Sequence, residues 1–171
     1  MAIPALVLRP GRGPDDLEEL TNVWRDSVEA THHYLSLEAI ERLEPDVRDE
    51  YLPRLRIHVA ERNGCTLGFI GMDSQHVAML YVADEARSTG VGGALLDWAK
   101  EQSPLLSVDV NEQNPRAAVF YAKRGFTPVS RLEREAYGKP QPLLRMLWES
   151  PSPALARSGS GVSGSGVSGV S

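Results

Sequence analysis

The sequence predicts an α/β (α+β) domain of about seven strands and about four helices, in the order β-α-α-β-β-β-α-β-α-β-β. Three observations carry this. Apolar residues recur at helical spacing in the first third. From Leu55 the pattern changes to short β-type runs around Asn63-Gly64. Two later helical stretches are each marked by glycine or proline at one end, with strands between and after them.

The first strand is Ala5 to Arg9. After a Pro/Gly turn, a helix starts near Pro14, with Leu17, Leu20, Trp24 and Val28 on one face and Asp15, Asp16 and Glu18 where the helix dipole favours acids. A second helix runs from about Leu37 to Tyr51, with Ser36 as N-cap. Between them lies Thr31-His32-His33-Tyr34-Leu35. Runs at Leu55 to Glu61 and Thr66 to Met72 flank Asn63-Gly64, whose residues both accept the positive φ of a type I′ turn. His76 to Val82 is nearly continuous apolar sequence, as suits a strand covered on both faces.

A glycine-rich turn follows, then a helix with Val91, Leu95 and Trp98 on its buried stripe, then a strand from Leu105 to Val110. Asn114-Pro115 opens the last helix, because asparagine caps well and proline fits the first helical position. Gly125 closes it. Strands at Phe126 to Arg131 and about Leu143 to Trp148 complete the domain, joined by a loop with Gly138 and Pro140.

The 171 residues, 42% hydrophobic and 24% charged, suffice for one core, and the domain is expected over 5–149. The remainder, 150–171, is rich in Ser, Gly and Val and resembles a flexible linker. A net charge of -5 gives no general attraction to nucleic acid or an anionic membrane. The acidic surface instead favours cationic acceptors. No apolar run approaches the roughly 20 residues of a membrane span. The single cysteine, Cys65, forms no internal disulfide, and Met1-Ala2-Ile3-Pro4 does not read as a signal peptide, so the expected compartment is the cytoplasm. Cys65 is expected to be structural and away from the site.

Arg87-Ser88-Thr89-Gly90-Val91-Gly92 is the segment that points to chemistry. Gly90, Gly92 and Gly93 let a phosphate approach N–H groups that the first helical turn leaves unpaired, and Arg87 adds a full charge. A glycine loop that merely permits close packing is the plain alternative. A P-loop is disfavoured because Gly92-Gly93-Ala94 lacks the Lys-Ser/Thr pair. A dinucleotide fingerprint is harder to dismiss, since Gly90-Val91-Gly92 follows a strand and Asp109 stands where a ribose ligand would, but Leu95 replaces its third glycine and a hairpin precedes the turn.

Arg87-x-x-Gly90-x-Gly92 resembles the Arg/Gln-x-x-Gly-x-Gly/Ala signature of the GNAT acetyltransferases. Asn114, Ala117, Phe120-Tyr121 and Gly125-Phe126 resemble the second part of that family's pattern. Ser27 to Ser36 and Val110 to Asn114 are similar to its small bacterial YjaB-like branch. The resemblance covers about Leu6 to Trp148. It implies a mixed, mostly antiparallel sheet whose fourth and fifth strands splay around acetyl-CoA, used as co-substrate with no metal. Backbone groups of Leu80, Tyr81 and Val82 would bond the pantetheine and acetyl carbonyl. Amides of Ser88, Thr89, Gly90, Val91, Gly92 and Gly93 would join Arg87 on the pyrophosphate, and Asn114 would face the pantetheine. Ser88-Thr89 departs from the Gly-Lys or Gly-Gln pair common in the family.

The implied reaction is direct attack of a primary amine on the thioester, with Tyr121 as general acid. The acceptor is a small molecule or a peptide, bound near His32, His33, Tyr34 and Asn111. Candidates for a base are Glu112, Asp109, His76, His32 and His33. A second reading is a non-catalytic acyl-CoA-binding regulatory module. Neither nucleic acid nor membrane is an expected partner, and the chain is expected to be a monomer or homodimer.

Overall fold

The computed structural model describes residues 2–136 and 139–151. From 152 on, the expected Ser/Gly/Val-rich tail lies outside the described residues, as does Gly138. The elements are β1 (Val7–Pro10), α1 (Leu17–Thr31), α2 (Leu37–Asp46), β2 (Arg56–Arg62), β3 (Cys65–Asp73), β4 (His76–Val82), α3 (Val91–Gln102), β5 (Leu105–Asn111), α4 (Pro115–Ala122), β6 (Thr127–Leu132), β7 (Glu135–Ala136), β8 (Lys139–Pro140) and β9 (Leu143–Glu149). Seven strands form one sheet in the order β1-β2-β3-β4-β5-β9-β6, and β7 and β8 pair separately. The expected class and element order are therefore present. The small β7–β8 ribbon is an addition within what reads as a loop.

Two compact units make up the chain: residues up to Asp73 with Met79–Asp97, and Ser74–Ala78 with Trp98 onward. In the first, β1 pairs antiparallel with β2, and β2 with β3. The turn between β2 and β3 has Asn63 at φ 52° and Gly64 at φ 74°, so both residues adopt the left-handed conformation the dipeptide favours. Leu20, Trp24 and Val28 of α1, each 2% exposed, pack with Ile40, Val59, Phe69, Met79 and Tyr81 in one core. Each such side chain contributes about 1.5–3 kcal/mol by leaving water, which is why the 3.6-residue spacing was readable. Arg9 fixes the entry to α1 through paired bonds of 2.9 and 2.8 Å to the buried Asp16.

The second helical stretch runs to Tyr51 as expected, but not as one regular helix. The α-helix ends at Asp46, a wider π-helical turn covers Val47–Tyr51, and the chain tightens at Leu52–Arg54. Pro45 lies inside α2, and its missing N–H removes one rung of the helical ladder just before the backbone widens.

In the second unit, β4 pairs parallel with β5 at His76↔Ser107 and Val77↔Val108, and that ladder stops there. The other edge of β5 pairs antiparallel with β9 along its whole length, Leu105↔Glu149 to Asn111↔Leu143. Asn114 caps α4 by accepting from the Ala117 N–H, and Gly125 ends the segment at φ 89°. Among the described residues no helix is long and apolar enough to cross a membrane.

Candidate active site

The glycine turn lies in the first unit. Gly90 has φ 91° with open space where a Cβ would stand, so glycine is required there by backbone conformation. The first α3 bond runs from the Ala94 N–H to the Gly90 carbonyl, 3.0 Å. Val91, Gly92 and Gly93 therefore have no carbonyl within the helix for their N–H groups, as an anion site at a helix start requires. Ser88 also has positive φ, 63°, a strained conformation for a side chain with a Cβ. This is the position where the resembling family commonly carries glycine. Arg87 is not directed at open space. Its guanidinium pairs with Asp84 at 2.9 and 2.5 Å, so a bound phosphate must share it with a carboxylate. Thr89 Oγ1 donates to the Ala86 carbonyl.

Cys65 lies closer to this turn than its place beside a hairpin suggests. It is exposed and lines, with Arg62, Leu67, Glu85, Ala86 and Thr89, a cleft of about 340 Å³. Its adjacency comes from β3 meeting the end of β4, where the Ala83 N–H donates to the Leu67 carbonyl at 2.8 Å, a pairing that short-range sequence does not reveal.

On β4, Tyr81 points into the first unit's core while Leu80 and Val82 are half-buried. Gly68 on β3 approaches closely, since a Cβ there would meet the Tyr81 carbonyl at 2.9 Å. His32 and His33 diverge at the end of α1, His32 buried at 5% exposure and His33 exposed. The His32 ring lies 5.3 Å from Tyr34 and 6.4 Å from Tyr81, centroid to centroid. Its Nδ1 is 2.7 Å from Thr31 Oγ1, and its Nε2 is buried without a partner. Burial, reinforced by His33, pushes the imidazole down to about 4.

In the second unit, Tyr121 is 4% exposed, with edge contacts to Phe120 at 5.1 Å and Phe126 at 5.3 Å. Its hydroxyl bonds to none of the described residues, and burial raises the phenol above its ordinary value. It is therefore a neutral donor with its proton in place. Asn111 is buried, and its Oδ1 accepts from the Gln113 N–H at 2.9 Å. Asn111 and Asn114 thus both use their side-chain oxygens to shape the approach to α4.

Two of the candidate bases are held by arginines. Asp109, 1% exposed, takes two bonds of 2.8 Å from Arg145, and Glu112 takes bonds of 2.6 and 3.3 Å from Arg131. His76 Nδ1 is 2.7 Å from Ser107 Oγ, with Nε2 3.7 Å from Asp109. Sequence reasoning missed Arg145 and Arg131, because a strand arginine gives no signal of its partner across the ladder. Among the described residues, no three His, Cys, Asp or Glu side chains gather as a metal site would need.

A mixed sheet in this order, an arginine-bearing glycine turn opening α3, and a tyrosine late in α4 define a GNAT-type acyltransferase. The family model for the acetyltransferase (GNAT) domain matches residues 23–146, and the chain belongs to that family. It is an N-acetyltransferase. Among its relatives is the peptidyl-lysine N-acetyltransferase YjaB of Escherichia coli strain K12, 41% identical over 133 residues, covering 77% of this chain and 89% of that protein. The solution structure of apo YjaB from Escherichia coli superposes with a TM-score of 0.76 at 36% identity, covering 85% of this chain and 99% of that one. The PaiA N-acetyltransferase of Thermoplasma acidophilum, solved in complex with coenzyme A, has the same fold, with a TM-score of 0.65 at 22% identity over 85% of this chain and 99% of that one.

Proposed function

We propose that this chain moves an acetyl group from acetyl-CoA to the ε-amine of a lysine in a peptide or protein, by direct attack and with Tyr121 as general acid. The observation that carries the cofactor assignment is the turn at Arg87. Three successive N–H groups without helical partners, a glycine whose φ no other residue adopts at ease, and an adjacent guanidinium suit a pyrophosphate. Acetyl-CoA supplies the activated acyl carbon and leaves as a thiolate.

The chain's own groups do the rest. Ser88 to Gly93 hold the pyrophosphate with Arg87, which exchanges part of its Asp84 contact for phosphate. Backbone groups of Leu80, Tyr81 and Val82 meet the pantetheine and acetyl carbonyl. Asn114 fixes the start of α4 and so the placing of Tyr121 along it. Tyr121 gives its proton to the departing sulfur, and burial keeps that proton on the phenol until then. The acceptor class comes from the relatives, which are named for peptidyl-lysine, and from the chain's net charge of -5, which favours a cationic partner.

Thiol release from acetyl-CoA, measured with and without a lysine-containing peptide and paired with the peptide's mass, tests this reading. Amine-dependent release with one acetyl gained per lysine is the expected result. Acetyl-CoA binding by calorimetry without amine-dependent release would leave a binding module in place of an enzyme.

A further inference from the structure

The hydrogen bonds around His32 determine which of its nitrogens carries the proton. Thr31 Oγ1 has one hydrogen, and it is spent on the Ser27 carbonyl at 2.7 Å. The contact of 2.7 Å between Thr31 Oγ1 and His32 Nδ1 must therefore be donated by the imidazole. Nδ1 carries the hydrogen and Nε2 is a bare lone pair. Among the described residues, Nε2 is the buried side-chain nitrogen or oxygen left without a partner. A buried polar atom in that state costs about 1–3 kcal/mol, which a folded protein tolerates where a ligand or water completes the bond.

The surroundings narrow the ligand. Tyr34 and Tyr81 both lie near the imidazole, tilted to it by 48° and 44° respectively. Aromatic rings attract an ammonium group, and a neutral acceptor nitrogen takes one of its N–H bonds. Burial holds the imidazole neutral at working pH, so it does not repel such a group. The two carboxylate candidates are engaged, Asp109 with Arg145 and Glu112 with Arg131; His76 bonds to Ser107, and His33 is exposed.

We propose that His32 is the substrate-contacting acceptor for the reaction above, its Nε2 taking an N–H of the incoming primary amine close to the rings of Tyr34 and Tyr81. This rests on the reading of the chain as a lysine acetyltransferase. It adds the residue that seats the nucleophile. Because burial disfavours a charged nitrogen, the nucleophile that reaches Nε2 is the free amine, its ammonium proton already left to bulk water, and one N–H of that neutral amine is what Nε2 accepts.

Two measurements test the assignment. In the full chain with ¹⁵N-labelled histidine, the Nε2 resonance of His32 should show an unprotonated, unbonded nitrogen, and should move toward the hydrogen-bonded range when a lysine peptide is added with CoA present. No chemistry occurs in that mixture, so the readout is independent of turnover. A resonance already hydrogen-bonded and indifferent to bound peptide would assign Nε2 to a resident water and overturn the proposal. In steady state, His32→Phe should raise KM for the peptide by roughly 5- to 50-fold while His32→Gln, which restores an acceptor oxygen, recovers most of it. The acetyl-CoA dissociation constant should stay within about twofold in both. An unchanged peptide KM in folded His32→Phe, or an equal loss of acetyl-CoA affinity, would reduce His32 to a packing residue. Wild-type protein without amine-dependent release from any lysine peptide would remove the transferase reading first, and this proposal with it.

Discussion

Acidification should destabilise this protein through His32 in a window that begins well above the carboxylate range. The imidazole is 5% exposed, and burial lowers it from 6.5 to about 4. Between those values the unfolded chain binds a proton that the folded chain does not, so stability falls as pH falls. Each pH unit in the window is worth about 1.4 kcal/mol, so acidification from pH 7 to about pH 4.5 removes about 2–3 kcal/mol. For a chain of this size that is a drop in Tm of roughly 4–12 °C. Urea denaturation across this range, on wild type and His32→Gln, isolates the contribution. The variant loses the pH-dependent part, so the two stability curves should converge as pH falls. His58, also lowered by burial, acts in the same direction but is common to both proteins and cancels in the comparison. Parallel curves from pH 7 to 4.5 would refute the reasoning, because they would mean the folded protein protonates His32 as easily as the unfolded chain does.

Three further outcomes follow from the candidate site. Tyr121→Phe should lower kcat by roughly 10²-fold with acetyl-CoA affinity kept, and because the hydroxyl bonds to no described residue the Tm should barely move; turnover within about twofold of wild type would remove Tyr121 as the acid. Arg87→Ala should weaken acetyl-CoA binding by roughly 10-fold or more in calorimetry, since it removes a charged donor and leaves Asp84 unpaired beside the phosphates. Ser88→Gly should raise the Tm by roughly 1–4 °C by relieving a positive φ, the gain being limited by glycine's greater freedom in the unfolded chain; a lower Tm would show that the serine side chain earns its strained position.

What the sequence made legible was local. Asn63-Gly64, Ser36, Asn114 and Gly125 act within a few residues of themselves, and each has the turn or cap its chemistry favours. The apolar stripe of α1 was readable because a single core faces it. Where a second local effect competed, the extent was legible and the helix type was not. The helical stretch reaches Tyr51 as expected, but Pro45 removes a backbone donor and the last turns widen to π-helix. Pairings across strands, such as Asp109 with Arg145, depend on register, and a one-residue slip would reverse every face. The site was legible as a motif and as residue types. Its hydrogen-bond state was not: nothing in Arg87 announces Asp84, and nothing in His32 announces which nitrogen is bare.

That hydrogen-bond state decides which groups can move a proton. Of the candidate bases, Asp109 and Glu112 are each matched to an arginine. The Asp109 carboxylate is buried, so withdrawing it from Arg145 would be costly, whereas the Glu112–Arg131 pair is exposed and weaker. Two groups without such a partner are neutral. Tyr121 keeps a proton without a described acceptor, and His32 keeps a lone pair without a described donor. An acyl transfer from thioester to amine needs one of each: a donor for the sulfur that leaves and an acceptor for a hydrogen on the nitrogen that arrives. Neutral groups suit such roles better than ionised ones, because burying a neutral polar group costs far less than burying an unpaired charge.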